Sequence, residues 1–157
     1  MKSSDLVSSL IASIALCISI FSIWLQNEGA QKQLLVANIG AYTKRYQEIF
    51  DRFPKSVLED SFDLKSLSED DKEKLLRPMW LYFDLCYEEY FLYYDLNLID
   101  EKLWKIWETG MKSAFSRPAF FQCWNFVFNN SFYPMPFSKF VNDKMLELHN
   151  PGKRISR

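Results

Sequence analysis

Residues 6–25 read LVSSLIASIALCISIFSIWL, a run without Asp, Glu, Lys, Arg or His. At 1.5 Å per residue, a helix over Leu6–Leu25 matches the roughly 30 Å hydrocarbon core of a bilayer. Trp24 stands at its end, where an indole marks the membrane interface, and Asp5 and Glu28 bracket it. A cleaved signal peptide fits less well: the apolar stretch is long, the preceding residues carry only Lys2, and no Ala-x-Ala cleavage site follows. Residues 1–27 are therefore expected to form an uncleaved transmembrane helix with a short flank. Lys32, Lys44 and Arg45 lie C-terminal to the run, which points the rest of the chain toward the cytoplasm.

The run has an internal pattern. Ser4, Ser8, Ala12, Ala15, Ser19, Ser22 and Gln26 recur at spacings of three and four, so a helix collects them in one narrow stripe that Gly29 continues. Leu6, Leu10, Ile14, Phe21 and Trp24 fall opposite. A small, weakly polar seam lets membrane helices approach closely, and it also tolerates a narrow water-filled pore. A serine that bonds only to its own i−4 carbonyl needs neither explanation. A lone span has no partner within its own chain, so the regularity of the seam points to a homo-oligomer or a partner membrane protein.

Beyond the span, Leu35, Ile39, Tyr42, Tyr46, Ile49 and Phe53 repeat at near-heptad spacing. They predict a helical stalk over residues 28–53 that continues the membrane helix as far as Pro54, with this stripe as its interface. Residues 54–150 are expected to form an all-α domain of four to five helices, a bundle-like arrangement, and 151–157 a basic tail with Lys153, Arg154 and Arg157. Within the domain, 54–68 reads as a loop with room for one helical turn. Ser68 is a good N-cap, followed by Glu69, Asp70 and Asp71 where carboxylates favour the helix dipole. That helix runs toward Tyr94, with Pro78 as a kink. Asp100 caps a helix on which Leu103, Trp107, Met111 and Ala114 form one face. The Ser116-Arg117-Pro118 turn opens another, with Phe120, Phe121, Trp124, Val127 and Phe128 inside, ending at Asn129 and Asn130. The last begins near Phe137, shows Phe140, Val141, Met145 and Leu148, and stops at Asn150-Pro151-Gly152.

The chemistry-bearing residues are few. The chain's 17% of aromatic residues argues against disorder, and its formal net charge of −1 provides no global basic field for nucleic acid. Cys17, Cys86 and Cys123 have no metal-ligand spacing and read as reduced, buried thiols, which suits a cytoplasmic domain. Asp84 and Glu88 stand four apart with Glu89 beside them, yet paired-carboxylate metal bundles also need Glu-x-x-His, and the only histidine is His149. Phe83, Tyr87, Tyr90 and Tyr94 form an aromatic stripe joined by Trp80, Phe91 and Tyr93; its interleaved carboxylates would repel a phosphate backbone, so core packing or a protein interface is expected. There is no nucleophile elbow, Walker motif or dinucleotide fingerprint. No enzyme, metal or cofactor is expected.

Glu88-Glu89-Tyr90, Leu98-Ile99-Asp100, Trp104, Trp107, Pro118 and Trp124 resemble the pattern of small bacterial membrane-anchored proteins with helical domains. The layout is similar to that of the membrane accessory proteins of type VI-B CRISPR loci. That resemblance implies a divergent HEPN-like helical domain and a homo-oligomeric pore in the bacterial inner membrane. It also implies membrane lipid and an RNA-guided defence effector as partners, and an accessory role in antiphage defence. HEPN ribonucleases use Arg-x4–6-His; here Lys144 stands five before His149, and lysine cannot reproduce the bidentate phosphate contact of a guanidinium. Lys144 and His149 are carried only as a vestigial catalytic pair. Two other functions stay open: a membrane-tethered protein-interaction module and a tethered HEPN-type ribonuclease.

Overall fold

The structure, a computed structural model, describes residues 3–149, and within the first helix the side chains from Leu16 onward except at 28, 31, 32, 34 and 35. The described residues form helices and turns, with no strand: α1 (Ser3–Phe50), α2 (Glu69–Tyr94), α3 (Glu101–Phe115), α4 (Pro118–Asn130) and α5 (Met135–His149), with 3-10 turns at Lys55–Leu58 and Leu64–Ser66. The expected all-α class is what is found. The chain divides into two compact units, Met1–Arg45 and Tyr46–Arg157.

In the first unit, the described part of α1 carries large apolar side chains that are exposed. Leu16, Ile18, Ile20, Phe21, Ile23 and Trp24 are each 59–66% exposed. Among the described residues no helix is long and apolar enough to cross a membrane. Positions 6–15 of the run Leu6–Leu25 lie outside the described side chains. The expected basic tail 151–157 lies outside the described residues as well.

The second unit begins with the last turns of α1, and its local signals are met one by one. Ser68 Oγ accepts from Asp71 N at 3.2 Å and donates to Asp71 Oδ2 at 2.7 Å, closing the N-terminus of α2. Asp100 Oδ1 accepts from Leu103 N at 2.8 Å to start α3. Pro118 occupies the first turn of α4, where its missing N–H costs nothing. α5 starts at Met135, two residues before the expected Phe137. Pro136 lies in its first turn, where proline is tolerated. The segment after α1 holds two 3-10 turns rather than one helical turn, fastened to α4: Leu64 N donates to Gln122 Oε1 at 2.8 Å, Gln122 Nε2 donates to the Phe62 carbonyl at 3.0 Å, and Arg117 Nη1 to the Leu58 carbonyl at 3.2 Å.

The core of this unit is aromatic. α2 packs on α3 and α4, and α3 on α4 and α5. Phe83, Phe115, Phe120 and Phe137 are wholly buried, and Trp124 is 2% exposed. Their rings meet edge-on or offset: Tyr82–Phe120 at 4.9 Å and 72°, Phe83–Trp124 at 4.7 Å and 49°. Such pairs add about 0.5–1.5 kcal/mol each beyond area burial. Every polar tip drawn inward is bonded: Trp124 Nε1 donates to Asn142 Oδ1 at 2.8 Å, Tyr133 Oη to Asp84 Oδ1 at 2.7 Å, and Trp80 Nε1 to Ser131 Oγ. On α3 the most deeply buried residues include Trp104, which the expected face omitted, while Leu103 and Trp107 are half-buried. Phe128 on α4 and Leu148 on α5 lie at the surface, 39% and 38% exposed.

Candidate functional site

The expected functional stripe and stalk both fall on α1. Ser4, Ser8, Ala12 and Ala15 lie in its helical backbone with side chains outside the described set; Ser19 and Gln26 are exposed, and Ser22 is half-buried. Gly29, which continues the stripe, has no atom within 4 Å of where a Cβ would stand. The stalk positions divide. The Leu35 side chain is outside the described set, and Ile39 and Tyr42 are half-buried. Tyr46, Ile49 and Phe53 belong to the second unit. There Ile49 is 6% exposed, Tyr46 meets Tyr82 at 6.5 Å, and Phe53 meets Phe120 edge-on at 5.4 Å. The lower half of the expected stalk interface is thus packed against the chain's own domain, because α1 doubles as the first helix of its core.

Lys144 and His149, both on α5, are held by different partners. Lys144 Nζ lies 2.8 Å from Glu108 Oε1, and Lys112 Nζ lies 3.2 Å from the same oxygen. Burial opposes ionisation of Glu108, but hydrogen bonds from Lys144 and Lys112 outweigh it and hold the carboxyl below its usual range. Burial likewise opposes the Lys144 charge, and the Glu108 hydrogen bond outweighs it, so the ammonium is raised. His149 Nε2–H donates to the Phe115 carbonyl at 2.8 Å, and its ring lies 4.5 Å from that of Phe121. These contacts tie α5 to α3 and α4.

The remaining sequence candidates lie in or beside the aromatic core. Along the aromatic stripe Phe83 is wholly buried, Tyr90 is 9% exposed, and Tyr94 is at the surface. Tyr93 stacks on Trp104 with centroids 4.8 Å apart and planes 2° from parallel. Asp84 takes the Tyr133 hydroxyl, and Glu89 is buried. Among the described residues no group of three His, Cys, Asp or Glu could hold a metal ion. Cys86 and Cys123 are buried free thiols, and Cys17 is exposed on α1. Burial pushes Cys123 up to about 12 and raises Cys86 as well, with Glu89 adding to the latter shift, so both stay protonated and unreactive near neutrality.

Sequence reasoning missed one feature. Where the end of α1 meets the first half of α2, Arg52, Phe53, Lys74, Arg77, Pro78 and Leu81 line an open cavity of about 810 Å³. A second, of about 950 Å³, opens on the other side of Arg77 against Leu76, Trp80 and Phe126, lined also by Lys65 and Lys72 and by Glu69, Asp70 and Glu73. The residues of the first come from separate segments, and no spacing along the chain announces them. Comparison with protein families, with curated proteins and with solved structures finds no match for this chain.

Proposed function

We propose that this chain is a single-pass protein of the bacterial inner membrane, anchored by Leu6–Leu25, with its helical domain in the cytoplasm. In the same proposal its spans assemble through the Ser4–Gln26 stripe into a homo-oligomeric pore that acts as an accessory to antiphage defence. The observation that carries the membrane part is the exposure of Leu16, Ile18, Ile20, Phe21, Ile23 and Trp24, each 59–66%. Six large apolar side chains on one short uncharged stretch need a cover that the chain itself does not supply, and a bilayer is such a cover. Assembly is supported by the small-residue spacing and by Gly29, whose missing Cβ nothing in the chain requires. The buried, unpaired thiols Cys86 and Cys123 suit a reducing compartment. Defence and an RNA-guided partner are supported only by the resemblance in layout.

The mass of the full-length protein in mild detergent, with the detergent contribution subtracted, tests assembly. A closed multi-copy ring supports the pore, and planar-bilayer conductance then follows as its direct readout. A monomer or dimer leaves too few spans to enclose a channel and removes it. In that case a tethered interaction module takes over, favoured by the α4–α5 corner, where Phe132 is 96% and Met135 80% exposed. A ribonuclease is the least supported, because Lys144 and His149 are engaged by Glu108 and by the Phe115 carbonyl. RNA degradation that disappears in His149→Ala, with the domain still folded, would restore it.

A further inference from the structure

The cavity between the end of α1 and the first half of α2 has two walls of different character. Phe53, Pro54, Leu67, Pro78 and Leu81 make an apolar surface, and Arg52, Lys74 and Arg77 supply positive charge. Among the described residues neither Arg52 nor Arg77 has a carboxylate partner, and Lys74 has only a long contact of 3.8 Å to Asp71, with both side chains mostly exposed. Elsewhere on the domain most surface cations are neutralised at close range: Lys72 by Glu69, Lys105 by Glu101, Lys139 by Asp143, and Lys112 and Lys144 by Glu108. Two unpaired guanidinia on one concavity are therefore a local departure in a chain of net charge −1. Planar guanidinium forks match phosphate oxygens in pairs, which an ammonium does not.

The apolar wall has its own chemistry. Pro78 and Leu81, one turn apart on α2, bring two apolar side chains to this wall beside Phe53. Ser56 and Asp71 add a hydroxyl and a carboxylate, the latter fixed by its bond to Ser68. A volume of about 810 Å³ lies in the range of sites for small organic ligands. The second cavity, beyond Arg77, sets Glu69, Asp70 and Glu73 against Lys65, Lys72 and Arg77, so it offers a phosphate chain continuing that way no net positive field. A compact anion with one flat apolar part fits these constraints, and a polynucleotide does not.

We propose that this cavity binds a nucleotide, its phosphates held by Arg52 and Arg77 and its base laid against Phe53, Pro78 and Leu81. The proposal is independent of whether the spans form a pore. Equilibrium dialysis of the full-length protein in detergent against radiolabelled ATP and, separately, GTP tests it, with inorganic tripolyphosphate and a short single-stranded RNA as competitors. The expected result is saturable binding of at least one nucleotide at one site per chain, weakened by at least about tenfold in Arg77→Gln and in Arg52→Gln. Lys102→Gln, on α3, is expected to leave it unchanged. Tripolyphosphate is expected to compete at least about tenfold more weakly than the nucleotide, since it cannot use the apolar wall. Arg52 and Arg77 are exposed, so both variants are expected to keep the parent melting temperature, which is measured alongside. Absence of saturable binding by both nucleotides would overturn the proposal. So would binding indifferent to the Arg52→Gln/Arg77→Gln double variant, tripolyphosphate matching the nucleotide, or RNA competing more tightly than either.

Discussion

Phe21, Ile23 and Trp24, in the first compact unit, are 60–66% exposed, whereas Phe83, Phe115, Phe120 and Phe137, in the second, are wholly buried. The two units use the same kinds of side chain in opposite ways. In the second, five helical segments turn aromatic rings on one another and bond every inward polar tip, so the chain supplies its own apolar solvent. In the first, the described apolar side chains of one helix are exposed. The contrast shows that hydrophobicity by itself does not assign a residue to a core; the number of neighbouring elements the chain can bring to it does.

The largest expected effects separate the units by stability. Trp124→Ala or Phe120→Ala should cost about 3–5 kcal/mol, enough to unfold the domain at moderate temperature. Phe21→Ala should leave the domain's thermal transition within about 0.5 kcal/mol of the parent. Calorimetry of the three variants in one detergent reads the difference directly. If Phe21→Ala lowers the transition as far as Trp124→Ala does, the units share a core and the comparison fails.

Next in size is a charge placed in the apolar run. Ile18→Arg or Ile20→Asp should oppose membrane insertion by about 2.5–3.5 kcal/mol, seen as a shift of protein from the membrane to the soluble or aggregated fraction. The same charges at Ile106, which is 62% exposed on α3, should change fractionation little. Equal behaviour at the two sites would mean that exposed apolar residues of the two units face the same solvent.

Alkaline pH sharpens the contrast from the core side. The Cys123 thiol ionises near 9 when unfolded and near 12 in the folded domain, because burial disfavours the thiolate. Above pH 9 the unfolded state therefore binds fewer protons than the folded one, and stability falls as pH rises through that window. Cys86, Tyr82 and Tyr133 are raised by burial as well and act in the same direction. Stability should drop by about 1 kcal/mol per pH unit from Cys123 alone above pH 9, and Cys123→Ala should flatten the profile. A profile unchanged by that substitution would show that the thiol is not buried as described.

The smallest effects use glycine. Gly110, on α3, has no atom within 4 Å of a would-be Cβ, so Gly110→Ala should stabilise the domain by about 0.5–1 kcal/mol through helix propensity. Gly29 is equally open within the single chain. If its face meets another copy, Gly29→Ala should instead lower the mass measured in detergent. Identical, purely stabilising outcomes at both positions would leave the stripe without a packing role.

What could be read from the sequence was what is local. Ser68, Asp100 and Pro118 start helices through contacts within one turn of themselves, and all three starts are where they were expected. α5 starts two residues before the expected Phe137, with Pro136 in its first turn, a place that proline tolerates. The two 3-10 turns after α1 are fastened to Gln122 and Arg117, some sixty positions away, and no local pattern carries such a bond. Tyr46, Ile49 and Phe53 obey the stalk periodicity, but periodicity cannot say whether a stripe meets another copy or the chain's own α2 and α4. The cavity with Arg52 and Arg77 was illegible for the same reason, since only the fold brings those residues to one wall.

The three native thiols test the central contrast most directly. Full-length protein in native membrane vesicles, opened to give access from both sides, is treated with a water-soluble maleimide, and labelled cysteines are identified by mass spectrometry. Cys86 and Cys123 are expected to be unreactive because the domain covers them, and Cys17 because the bilayer does; all three should react after denaturation in strong detergent. Labelling of Cys17 in intact membranes at the rate of a free thiol, with the other two still protected, would contradict a membrane-embedded α1.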